Sequence, residues 1–293
     1  RNSNIYKNYI CFKNLIDKTL KSGLEVNDIL NGIKKLEMVE IVLDKSQGDE
    51  PQKIFESINS TGLELSLADK IRNYLLMDDA NQDELYENYW SVIEKNVGYR
   101  NLGDFAINFL NSQISRSVNN SNAYRLFKEH CEENNLNHED VLKKLKRASK
   151  VYGAFIGESH YYSKEILNYL HAFNSIKQTV LPFLFRVFND YENSIIDETT
   201  ILKVLNYLLT YFVRITACEL NKSLSNFMKS MYDRAFDGNY DNYYEKLVIF
   251  LNDLKANNRM PTDAEFEKAL IHKPLYQKPI CKFVLSVIEN SSK

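Results

Sequence analysis

The chain has 293 residues, 44% of them hydrophobic, with only 9 Gly and 5 Pro, enough apolar material for a large core and too few turn formers for an all-β or loop-rich fold. A formal charge of −2 excludes a globally basic footprint for nucleic acid and leaves room only for a local patch. Cys11, Cys131, Cys218 and Cys281 lie far apart without a C-x-x-C pair, which excludes a disulfide framework or a cysteine zinc site and fits reduced, cytoplasmic thiols used in packing.

Taken in order, Ile5, Tyr9, Phe12, Ile16 and Leu20 recur about one helical turn apart, and Val26 to Ile33 predicts a second, shorter helix. Leu36 to Leu43 alternates instead, with β-branched residues in its second half, and predicts a strand over 36–43. A lone strand needs pairing partners, so it reads as the remnant of an N-terminal α/β domain. Ile54, Phe55 and Ile58 predict a helix ending near Asn59 or Ser60, with Gly62 where a helix C-terminus calls for positive φ. Ser66 is the natural N-cap of the next helix, and Asp69 three residues later completes a capping-box-like pattern.

Beyond Met77 the pattern is helical almost throughout. Asn81 opens a helix through Leu85, Tyr89, Val92 and Ile93, followed by helices over 102–114, 122–133 and 139–156 and one from Ser163 through Leu170. Pro182 begins or kinks a helix in the apolar run Val180 to Phe188. Asp197 caps a long helix over 201–220 that is apolar on nearly every face and therefore belongs at the centre of a bundle. Helices over 224–235 and 243–254 lead to a T-x-x-E box at Thr262 and Glu265, and a last helix runs over 280–289. The expected fold is mainly α, a multi-helix bundle with one short strand. No apolar run of ~20 residues predicts a membrane span.

Phe55, Asn59, Gly62, Leu65, Asp69, Ile71 and Asn73 form F-x-x-x-N-x-x-G-x-x-L-x-x-x-D-x-I-x-N, which resembles the motif closing the N-terminal domain of the GmrSD family of modification-dependent, type IV restriction endonucleases. Arg214 and the helix after it, and the run from Met260 to Glu289, resemble later parts of the same family. The resemblance implies that 1–77 is the end of a ParB/sulfiredoxin-like nucleotide-handling domain and 78–293 a helical connecting domain. On that reading the chain is the interior of a longer protein, since neither the family's D-G-Q-Q-R motif upstream nor the E-H-I-x-P-Q motif of its HNH-type nuclease domain is present. For the full-length protein the resemblance implies an NTP and magnesium as cofactors and DNA as a partner, in the cytoplasm. A homodimer is compatible with it, and this segment itself is expected to be non-catalytic. Asn59, Gly62 and Asp69 are the implied nucleotide-binding residues, although the spacing of Asp69 by itself favours a helix cap.

Other chemistry is sparse. Lys143, Lys144, Lys146, Arg147 and Lys150 form a basic strip on one helix, either a solvated face or a phosphate contact. His272 lacks companion ligands, and His130 and His138 lack the i, i+4 spacing of a helical metal pair. The alternative function is a helical scaffold or protein-interaction module without enzymatic context.

Overall fold

The computed structural model describes residues 4–38, 40, 42, 54, 65–77, 81–176, 178–220, 225–274, 276 and 280–291. The chain divides into two units, Arg1–Ile54 and Phe55–Lys293.

In the first unit α1 (Asn4–Lys21) and α2 (Val26–Lys34) form where the apolar periodicity predicts them. Glu25 and Asp28 close a reciprocal capping box at the start of α2, joining backbone donors that the first helical turn leaves unpaired. None of the described residues from Ile5 to Met38 is buried, and Ile5, Phe12, Val26 and Ile33 are exposed apolar side chains.

The strand expected over 36–43 is not seen at its described residues. Residues 36, 37, 38, 40 and 42 carry no regular secondary structure and are exposed, Met38 at 94%, while 39, 41 and 43 lie outside the described residues. Alternation alone cannot hold a segment extended without a ladder to join, and among the described residues no other strand exists to offer one. The helix end at Asn59 and the turn at Gly62 also lie outside the described residues.

The second unit is helical. α3 (Leu67–Leu76) starts at Ser66, whose Oγ accepts from the Asp69 amide at 3.2 Å and donates to the Asp69 carboxylate at 2.6 Å. Ala68, Ile71, Leu75 and Leu76 turn its apolar stripe into the core. Next come α4 (Gln82–Leu85), a π-turn over Tyr86–Trp90 and α5 (Ser91–Val97). Asn81 takes the N-cap position of α4 without a side-chain cap bond. Two aromatics at i and i+4 converge on one acid: Glu94 accepts from Trp90 Nε1 at 2.8 Å and from the Tyr86 hydroxyl at 3.2 Å.

α6 (Leu102–Gln113), α7 (Ala123–Glu133) and α8 (His138–Ile156) pack against α3, and α5 lies along α8. After α9 (Lys164–Ile176), α10 (Leu181–Glu192) begins with Pro182 in its first turn, where a missing N–H costs nothing. α11 (Glu198–Ala217) is capped by Asp197 through the Thr200 amide at 2.8 Å. Its residues Val204, Leu205, Leu208, Tyr211, Phe212 and Ile215 are all fully buried. It contacts α9, α10, α13 (Tyr243–Asp253), α14 (Asp263–His272) and α15 (Ile280–Ser291) and so lies at the bundle centre, but it is not apolar all round as expected, since Lys203 and Asn206 leave one edge exposed. α12 (Ser225–Phe236) packs on α10 and α13. Thr262 and Glu265 close the expected capping box, and Arg259 reaches both Glu265 oxygens, at 2.5 and 2.8 Å. These contacts hold the Glu265 carboxyl down to about 2, the Arg259 bond contributing most.

Ser66 supplies a prediction. Ser66→Ala should lower stability by about 1 kcal/mol, the usual cost of losing an N-cap, read as a shift in the urea midpoint at unchanged slope; a midpoint within error of the parent would mean that the cap bond carries no weight.

Candidate functional site

The structure separates the residues singled out in the sequence. Asp69 faces its own helix end: besides the Ser66 contact, its carboxylate pairs with Arg72 at 3.1 Å. These contacts are those of a helix cap, and Asn59 and Gly62, its implied companions, fall outside the described residues. Arg214, on α11, donates to the Pro261 carbonyl at 3.1 Å, pairs with Asp263 at 2.6 Å and lies over the Phe266 ring, tying α11 to the start of α14.

The histidines are dispersed. His138 packs its ring on Tyr74, centroids 4.9 Å apart. His130 contacts the Asn134 amide, and burial followed by the nearby Lys144 charge pulls its pKa below the ordinary value. His272 is the exposed last residue of α14. Among the described residues no group of three or more His, Cys, Asp or Glu could hold a metal ion. The cysteines are all free; Cys131 is buried, with its thiol pushed up to about 11 by that burial, whereas Cys11 is exposed and does not pack.

The basic strip on α8 is sorted by helical phase. Lys143, Lys146 and Lys150 stand at i, i+3 and i+7, one row of the helix. Each has a local partner: Lys143 pairs with Glu139 at 3.1 Å and Asp140 at 3.3 Å, Lys146 donates to the Asn88 carbonyl at 2.8 Å, and Lys150 pairs with Glu192 at 3.3 Å. Lys144 and Arg147, at i and i+3, form the adjacent row and form no ion pair among the described residues; Arg147 donates to the neutral Asn189 side chain at 3.3 Å.

This second row borders a polar, partly open cavity of about 270 Å³ lined by α6, α8, α10 and α12. Arg186 and Asp190, one turn apart on α10, form part of its wall. Arg186 makes a two-pronged contact with Asp233, at 2.7 and 3.1 Å, and lies 4.0 Å over the Tyr232 ring. Asp190 is only 3% exposed, and its Oδ2 accepts from the hydroxyls of Tyr232 and, at 2.7 Å, Tyr243. Burial raises its pKa above the usual carboxylate range, partly offset by those two hydrogen bonds and the Arg186 charge. Both tyrosines are pushed far above their ordinary pKa, burial leading and the carboxylate adding to it, so they remain donors.

Arg186, Asp190 and Tyr232 were missed at the sequence level. One signal was readable: Asp190 continues the i, i+4, i+7 row of Phe183 and Val187, so a charged residue stands where the apolar stripe demands a core side chain.

Residues 1–76 match the family model for the GmrSD restriction endonuclease, N-terminal domain. No curated protein and no solved structure matches the chain. By this match the first 76 residues are similar to the N-terminal domain of GmrSD restriction endonucleases, and the likeness ends on the last residue of α3, inside the helical unit.

Proposed function

We propose that this chain is the non-catalytic helical body of a GmrSD-like, nucleotide-dependent restriction nuclease that cuts modified phage DNA, joining a nucleotide-sensing domain to a nuclease domain. The observation that carries the reading is the family match over 1–76 together with where it ends. α3 closes the matched stretch, yet Ile71, Leu75 and Leu76 are at most 3% exposed in the core of the second unit, and the Tyr74 ring sits edge-on to Phe127 of α7. α3 thus belongs both to the matched stretch and to the core packed by α6, α7 and α8, the position a connecting body would use. Asn59, Gly62 and Asp69 belong to this reading as one wall of a nucleotide pocket. The described residues offer no set of metal ligands, and the reading gives this chain no step of magnesium chemistry.

The test uses the whole open reading frame. Nucleotide- and magnesium-dependent cleavage of glucosylated or otherwise modified DNA is expected from the longer protein and not from these 293 residues alone, and Asn59→Ala in the longer protein should slow nucleotide hydrolysis without lowering its thermal midpoint. A longer protein that neither hydrolyses nucleotide nor cuts modified DNA would leave the helical scaffold as the better reading, and an unchanged hydrolysis rate in Asn59→Ala would make that residue structural.

A further inference from the structure

We propose that the cavity between α6, α8, α10 and α12 binds one phosphate-bearing nucleotide unit, either a free nucleotide or a link of single-stranded nucleic acid, with Lys144, Arg147 and Arg186 on the phosphate. Three cations from two helices border a single small space. Asp190, the only carboxylate among the described lining residues, has Oδ2 engaged by two tyrosine hydroxyls. The lining therefore carries an excess of two positive charges, and one positive charge remains even when Asp233, bonded to Arg186, is included.

The sorting along α8 points the same way. Every strip lysine that faces away from the cavity is satisfied by a carboxylate or a carbonyl, whereas Lys144 and Arg147, which face it, have no carboxylate among the described residues. Like charges gathered around a partly enclosed space repel one another, and an anion placed between them relieves the repulsion with charge-assisted hydrogen bonds. Arg186 is held flat by Tyr232, with both terminal nitrogens on Asp233, so it offers a ligand its positive field and its remaining N–H groups in a fixed orientation.

Size narrows the ligand. A volume of about 270 Å³ falls just below the usual ~300–1,000 Å³ range of small-molecule sites, which admits a phosphate with its sugar. Tyr240, 38% exposed at the lining, adds an aromatic face on which a sugar or base can rest. The inference stands apart from the family reading, because it concerns binding by this chain and not cleavage by a longer one.

Calorimetric titration of the 293-residue chain with thymidine, thymidine 5′-monophosphate and a thymidine trinucleotide lacking terminal phosphates tests it. At least one phosphate-bearing probe should bind, thymidine should not, and affinity should fall as salt rises. Lys144→Ala, at an exposed position, and Arg147→Ala should each weaken binding by about tenfold or more, while Lys143→Ala on the same helix stays within about twofold. Binding of the trinucleotide as tightly as the monophosphate identifies the nucleic-acid backbone as the source, and binding of the monophosphate alone identifies a free nucleotide. No binding of either phosphate probe up to about 10 mM, or parent-like affinity in Lys144→Ala, overturns the proposal.

Discussion

Gly153→Ala is expected to destabilise the helical unit by about 3 kcal/mol, near the upper end of what overpacking usually costs. Gly153 lies within α8, where alanine would normally improve helix propensity by about 1 kcal/mol. A Cβ built there falls inside 3.0 Å of the Asn96 carbonyl oxygen and 2.9 Å from Ser159 Oγ. The carbonyl cannot swing aside as a side chain would, because it belongs to the last turn of α5. Its residue is also tied to α8 through the buried bond from Asn96 Nδ2 to Ser149 Oγ, 2.9 Å. The Gly153 carbonyl itself receives the amides of Glu158 and Ser159, at 2.8 and 3.2 Å, so the backbone at Gly153 cannot shift locally without opening the C-terminal turn of α8. Urea unfolding followed by far-UV circular dichroism measures the effect; a midpoint equal to or above the parent's would show that the two helices have room to separate.

Asp190→Ala should cost a comparable amount, about 3 kcal/mol, because it strands two buried tyrosine hydroxyls, each worth ~1–3 kcal/mol when left without an acceptor. Asp190→Asn is the informative companion, since its amide oxygen can still accept from Tyr232 and Tyr243. The two variants should also differ from the parent in pH dependence. The folded carboxyl has a raised pKa and so holds its proton to higher pH than the unfolded one. Its stabilising contribution is fully present below the unfolded value of about 3.9 and is lost as pH rises through the folded value. Relative to the parent, Asp190→Asn should therefore become more stable as pH climbs from about 3 toward 7. Equal pH profiles for parent and Asn variant would mean that burial does not burden this carboxylate.

The fold was legible wherever local chemistry decided it. Ser66, Asp197 and Thr262 cap the helices they were expected to cap, and Pro182 opens one, because these residues act on backbone groups within four positions of themselves. The apolar run of α11 likewise announced a central helix, although Lys203 and Asn206 keep one edge of it exposed. Leu36 to Leu43 misled for the converse reason: alternation specifies which faces a strand would have, while a strand exists only if another segment pairs with it. The π-turn at Tyr86–Trp90 left no periodic trace, since its single extra residue shifts the phase within one turn. The cavity was half visible. Its two α8 cations lay in a conspicuous basic run, but their separation from Lys143, Lys146 and Lys150 depends on helical phase and on the acids that neighbouring helices supply. Arg186 and Tyr232, 46 positions apart, meet only through the packing of α10 on α12.

The placement of α3 bears on how such a chain can be cut or recombined. The stretch similar to a known domain ends at Leu76, but a break drawn there would strip Ile71, Leu75 and Leu76 from the interior they fill and leave the facing sides of α6, α7 and α8 open to water, a surface prone to aggregate. A workable expression boundary for the helical part falls upstream of Ser66, so that the cap and its helix travel with the bundle. The stretch that matches the family model and the helical unit therefore overlap by one helix, and replacing the N-terminal segment would have to carry a compatible α3 along with the graft.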